Sequence, residues 1–201
     1  VRGDGMKKII TISREFGAAG GTIGKTVAER LGYEYFDKEL IIQAARDANL
    51  DVEKIVKFDE KVPVMFGFTQ SLFDLYNSPV EERFYEAQKR IIRKIAEHGK
   101  CVIVGRNANS VLAEYDDSFH VFIHANFYWR LNYLKSDKMK NVPPEKIAEH
   151  INNIDKARKK FCAYYTNKDF GSAASYDMSL SSSALGIQKC AELICDAASS
   201  K

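Results

Sequence analysis

Cysteine is scarce in this sequence and poorly placed for cross-linking. Of 201 residues four are Cys, at positions 101, 162, 190 and 195, with no CxxC pair and no His at metal-ligand spacing. That argues against a disulfide scaffold or a zinc site and predicts a reducing, cytoplasmic compartment. An excess of one charge is also lacking. Thirty Lys+Arg against 27 Asp+Glu leave +3, too little to make a nucleic acid polymer the default partner, so any anion site must be local. There is no apolar run of about 18 residues and no basic-apolar-small order at the start, so no membrane partner is expected. Low-complexity tracts and internal repeats are absent. With 45% hydrophobic and 28% charged residues, the composition disfavours disorder and coiled coil.

What is present is an alternation of short apolar runs with helical segments, the mark of βα units and a parallel sheet. Five strands are expected, at residues 9–13, 33–36, 101–104, 119–124 and 177–180. Apolar residues at 23, 27, 28 and 31, and at 80, 84, 87, 91 and 95, predict amphipathic helices over 22–31 and 79–98. Gly32 and Gly99 stand at their left-handed stops. Residues 37–78 carry no strand signal and read as a helical insertion. Residues 1–5 precede Met6 and read as an expression remnant, leaving 6–201 as one domain.

The strongest chemical signal is the run from Ser13 to Thr26, which leaves the first strand and opens the first helix. Gly17, Ala18, Ala19, Gly20, Gly21, Thr22, Ile23, Gly24, Lys25 and Thr26 read as a phosphate cradle. Small residues let backbone N–H groups and the helix dipole converge on one anion. Lys25 is then expected to reach the outer phosphates and Thr26 to ligate Mg²⁺. The pattern Gly-x-x-x-x-Gly-Lys-Ser/Thr asks for Gly where Ala19 stands, and the alternative is an ordinary Gly-rich βα turn with a surface Lys.

Ile10-Thr11-Ile12-Ser13-Arg14-Glu15-Phe16-Gly17, Tyr35-Phe36-Asp37-Lys38-Glu39-Leu40-Ile41 and Val102-Ile103-Val104-Gly105-Arg106 appear in this order. With Arg130, Asp155-Lys156-Ala157-Arg158 and Tyr176-Asp177, they make the chain resemble the cytidylate kinase-like family of P-loop nucleoside monophosphate kinases along nearly its whole length. The resemblance implies a three-layer α/β P-loop NTPase fold with a parallel sheet of about five strands, a helical acceptor-binding insertion and a helical lid over 130–170. It implies ATP and Mg²⁺ as cofactors, small nucleotides as partners, and phosphoryl transfer to CMP or dCMP. Arg106 would hold the acceptor phosphate, Asp37 would resemble an acceptor-side aspartate, and Arg130 and Arg158 would close over the moving group. Authentic cytidylate kinases carry a compact Gly-Pro-Ser-Gly-Ala-Gly-Lys loop, whereas the run here begins Ser13-Arg14-Glu15. No Asp or Glu ends the third strand.

Read without the family, residues 147, 151, 154, 158 and 161 form one helical stripe in which Arg158 alone is charged. Asp155 lies three residues before it, close enough to orient it. A phosphate would suit its planar fork, the alternative being the internal pair alone. Lys156, Lys159 and Lys160 read as a solvated face. Arg14 and Glu15 sit at the loop mouth, either binding substrate or forming a surface pair. His124, Trp129 and most tyrosines read as core, with Tyr164 and Tyr165 the aromatic candidates for stacking a base. Two other functions stay open at this point. One is a P-loop kinase of another small molecule, such as a sugar, a shikimate-like acid or a coenzyme precursor. The other is a nucleotide-binding regulatory module without turnover. Nothing indicates the oligomeric state.

Overall fold

Strand β1, Ile9–Arg14, is buried on both faces, as a central parallel strand is when helices cover both sides of the sheet. The structure is a computed structural model and describes residues 7–37, 46, 79–136 and 139–200. From β1 the chain enters α1 (Gly20–Leu31), then β2 (Glu34–Phe36), α2 (Pro79–His98) and β3 (Cys101–Val104). A short α3 (Ala108–Val111) precedes β4 (Ser118–His124), α4 (Phe127–Ser136) and the long α5 (Pro144–Thr166). A 3-10 turn (Ala173–Ser175), β5 (Met178–Ser181), α6 (Ser182–Leu185) and α7 (Ile187–Ser199) follow. The five strands lie in the order β2-β3-β1-β4-β5, every neighbouring pair parallel. The expected five-stranded parallel sheet is therefore present, with strand ends within about a residue of those read from the apolar runs.

The pleat sorts the core into two layers, because successive strand residues face opposite sides. Ile10, Ile12, Val102 and Val104 pack with Ile23, Val27 and Ala28 of α1 and with Cys190, Ala191 and Ile194 of α7. Ile9, Cys101 and Ile103 face the other way, onto Ala87, Ile91, Ile92 and Ala96 of α2 and Leu112 after α3. Each fully buried Ile contributes about 1.5–3 kcal/mol of transfer free energy. A third cluster joins Leu134, Met139, Val142, Ile147 and Ile151, with Phe16 of the β1–α1 loop against it. Helices α4 and α5 thus share a small core of their own, and Phe16 wedges the loop into it.

Gly32 caps α1 at φ 66° and Gly99 follows α2 at φ 66°, the left-handed stops expected of them. Helix α1 begins two residues before the expected Thr22. Its N-cap is Ala19 at φ 59°. The free cysteines are Cys101, Cys162 and Cys190, all buried, and the half-buried Cys195. Burial pushes the Cys101 thiol up to about 12, so it stays protonated as a small apolar group. The insertion expected over 37–78 lies outside the described residues, apart from Asp37 and Arg46. Among the described residues, no helix is long and apolar enough to cross a membrane.

Candidate functional site

Five residues, 15–19, connect β1 to α1 at the C-terminal edge of the sheet, where ligands gather in parallel α/β folds. Alternate carbonyls leading into and along this loop are pinned by side chains. The Arg14 carbonyl accepts from Arg158 Nη1 at 2.7 Å, that of Phe16 from Arg130 Nη1 at 3.1 Å, and that of Ala18 from Ser182 Oγ at 2.8 Å. In a planar trans peptide the next N–H points the opposite way, so the N–H groups of Gly17 and Ala19 turn away from those anchors. Beyond them, the first-turn amides of α1, at Gly20, Gly21 and Thr22, have no intrahelical acceptor. The helix start has no side-chain cap and no acidic residue in its first turn. The dipole end is thereby left for an external anion. Gly17 (φ 78°) is required twice over, since a Cβ there would stand 2.9 Å from Leu134 Cδ1.

Four arginines close around this loop. The Arg14 stem runs over Gly20, and its guanidinium lies against Gly105, with Nη2 3.4 Å from Asp37 Oδ1. Arg158, partly buried, stacks its guanidinium 5.7 Å from the Phe16 ring centre. Desolvation, then Arg14 and Arg106, push its pKa well below the usual guanidinium value, against the pull of Asp155 and Asp37. An arginine stays protonated at physiological pH, so this is a desolvated cation set beside two others, a charge that an anion would neutralise. Arg130 is 7% exposed. It pairs with Asp155 and lies 3.7 Å from Glu15, while Asp155 Oδ1 accepts the Phe16 N–H at 2.8 Å. The structure thus places Arg130 in the scaffold that ties the loop to α5.

Arg106 sits on a strained turn. Gly105, Arg106 and Asn107 all lie in the left-handed region, at φ 82°, 60° and 52°. For the two non-glycine residues that costs on the order of 1–3 kcal/mol each and persists only where the surroundings enforce it. Here Gln88, fully buried on α2, donates Nε2 to the Arg106 carbonyl at 3.0 Å, and the Gly105 N–H donates to the Ile12 carbonyl at 2.9 Å. The turn directs Arg106 from the end of β3 toward Arg158. Periodicity had no means of finding Gln88, which stands on the buried face of α2 as a polar residue. Asn107 after Gly105-Arg106 is the one local signal, because Asn tolerates positive φ.

Asp37 lies at the opening of α1. Its Oδ2 is 3.3 Å from the Tyr35 hydroxyl, which is also 3.3 Å from the Gly21 carbonyl. Lys25 and Thr26 are not brought to the loop. Lys25 is exposed, five residues into α1, about 7.5 Å along the axis from Gly20, and the Thr26 hydroxyl donates to the Thr22 carbonyl at 3.0 Å. Ile23 is core. Gly24 serves close helix–sheet packing, a Cβ there standing 2.9 Å from Val104 Cγ2. Residues 17–22 therefore line the loop and helix start, and residues 23–26 form the helix body. Oxygen atoms among the described residues beside that start include the Asp37 carboxylate, the Tyr35 hydroxyl and the Thr22 hydroxyl, 2.9 Å from Tyr133 Oη.

Trp129 stacks on Tyr133 at 5.2 Å, and Tyr165 stacks on Tyr85 at 3.9 Å, so Tyr165 belongs to an aromatic cluster between α5 and α2 with Phe161. Tyr164 is 79% exposed. His124, at the end of β4, stacks on Phe122.

The profile of the cytidylate kinase-like family matches residues 9–184. The chain belongs to the cytidylate kinase-like family. This family member is similar in structure to an uncharacterized protein from Eubacterium ventriosum, with a TM-score of 0.71 and 21% identity, over 94% of this chain and 97% of that one. It is also similar to shikimate kinase from Bacteroides thetaiotaomicron, at TM-score 0.55 and 13% identity, over 94% and 97%. Shikimate kinase from Acinetobacter baumannii gives TM-score 0.53 and 13% identity, over 94% and 92%. No curated protein matches this cytidylate kinase-like chain. Together with the parallel sheet order, these likenesses show a P-loop NTPase fold.

Proposed function

We propose that this cytidylate kinase-like protein transfers the γ-phosphoryl group of ATP·Mg²⁺ to a nucleoside monophosphate, CMP or dCMP foremost. The observation that carries this reading is the uncapped start of α1, with the Arg14 stem laid over Gly20 and the charges of Arg14 and Arg106 acting on Arg158 beside the loop. Phosphoryl transfer demands little covalent chemistry from a protein and much positioning and charge neutralisation. The amides of Gly17 and of residues 19–22 hold the donor phosphates, the Ala18 N–H donating to the Glu15 carbonyl. Arg106, on its strained turn, holds the acceptor phosphate, and Arg158 neutralises the group in flight. Asp37 is the described carboxylate nearest the helix start and the natural acid to orient hydrated Mg²⁺ or the acceptor. Mg²⁺ supplies screening of the phosphate charge.

An acceptor oxygen attacks the γ-phosphorus while the bond to the β–γ bridging oxygen breaks, and ADP departs with that electron pair. Arg130 keeps the lid helix registered on the loop through Asp155, which favours a closed, water-excluding site.

The test offers ATP·Mg²⁺ with CMP, dCMP, UMP, AMP, GMP, shikimate or no acceptor, following ADP and each phosphorylated product. CDP or dCDP formation, lowered at least 100-fold in Arg158→Met, supports the assignment. Folded protein that binds ATP and forms no product from any acceptor overturns it.

A further inference from the structure

Resting on that phosphate-loop reading, we propose that Arg14 is the cation of this loop. It fills the space that a lysine at the loop-to-helix junction fills in Gly-Lys-Ser/Thr loops. The junction residue here is Gly20, the first residue of α1, and it carries no side chain. A Cβ built on Gly20 would stand 2.6 Å from Arg14 Cβ and 2.8 Å from its Cγ. The two positions therefore compete for one volume, and Arg14 holds it. Its guanidinium then crosses to β3, where a Cβ on Gly105 would stand 1.8 Å from Nη1. Glycine at both 20 and 105 is thus the steric requirement for laying an arginine across the C-terminal edge of the sheet.

Among the described residues, the charge around Arg14 is not balanced locally. Its described ion-pair partner is Asp37, at a long 3.4 Å, while Arg158 donates to the Arg14 carbonyl and each guanidinium raises the potential at the other. Asp155 is already engaged by Arg130 and by the Phe16 N–H. A cation stretched over an uncapped helix start, beside a second cation, suits the terminal phosphates of a nucleoside triphosphate, which the planar fork grips through two oxygens at once.

The arrangement makes a reciprocal prediction. Lysine at position 20 is excluded while Arg14 is present and becomes admissible once the Arg14 stem is removed.

The test is calorimetric binding of ATP·Mg²⁺ and of inorganic tripolyphosphate to the wild-type chain, Arg14→Met, Lys25→Ala and the double variant Arg14→Gly/Gly20→Lys, with circular dichroism on each. Arg14→Met keeps the stem and removes the charge. It is expected to bind both ligands at least tenfold more weakly while folded, and the double variant to recover most of that loss. A loss in Arg14→Met no larger than that in Lys25→Ala overturns the proposal and leaves the phosphate-loop reading standing. A wild-type chain that binds neither ligand overturns both. If Arg14→Met fails to fold, the double variant decides: near-wild-type binding supports the proposal and absent binding overturns it.

Discussion

Gly105 shows how one backbone atom set can serve two demands at once. Its φ of 82° starts the left-handed turn that presents Arg106, and its missing Cβ gives the Arg14 guanidinium its bed. Gly105→Ala is therefore expected to cost about 1–3 kcal/mol in strain and to dislodge Arg14 as well. Urea denaturation checks the first effect and ATP binding the second, and loss of stability with unchanged binding would sink the link between the turn and the cation. Arg158 makes the complementary case, a desolvated guanidinium set beside the charges of Arg14 and Arg106. Arg158→Met removes that repulsion, so it is expected to hold or raise the unfolding midpoint while abolishing turnover. A fall in stability equal to the fall in activity would show a merely structural role.

Among the elements, β4 carries a titration that thermodynamics can read. Both ring nitrogens of His120 face hydroxyls, Nδ1 with Thr11 Oγ1 at 2.8 Å and Nε2 with Ser118 Oγ at 3.0 Å. Burial is the main cause lowering its pKa, with Asp177 opposing. A folded pKa below the unfolded value means that the unfolded chain takes the proton first. Stability from this group is thus complete above about pH 6.5 and is lost as pH falls below it. Urea midpoints from pH 8 to 5 are expected to decline below pH 6.5, and His120→Gln to flatten that decline; an unchanged slope would refute the assignment.

The strands were legible because continuous Val and Ile runs are what a doubly covered parallel strand demands, and the stops at Gly32 and Gly99 because positive φ selects glycine. The start of α1 was not. Gly20 and Gly21 have poor helix propensity, yet Arg14 requires glycine at 20, so tertiary packing overrides the local preference. Gly24-Lys25-Thr26 misdirects for the same reason: its glycine serves contact between α1 and Val104. Arg158 was visible as the one charge on an apolar stripe, whereas Gln88 needed the fold.

At the scale of the molecule, the loop is the joint between the sheet and α5. One side is anchored on β4, where the Glu15 N–H donates to the Ile123 carbonyl. The other is held by α5 through Asp155 and Arg158, with Phe16 wedged into the cluster around Ile151. Lid packing and anion affinity should therefore be coupled. Ile151→Ala empties part of that cluster and is expected to cost about 2–5 kcal/mol, loosening α5 and weakening ATP binding although residue 151 lies outside the loop.

The coupling is measurable by linkage. ATP·Mg²⁺ at about 100 times its Kd stabilises the folded chain by about 2.7 kcal/mol, which for a chain of this size raises Tm by roughly 5–10 °C. Wild-type protein is expected to show that rise, and Ile151→Ala to show a smaller one at the same ATP concentration, on top of its lower starting Tm. An equal rise in both proteins would mean that lid core and loop act independently. In that case the Asp155 and Arg158 anchors would be structural ties that transmit nothing to the anion site.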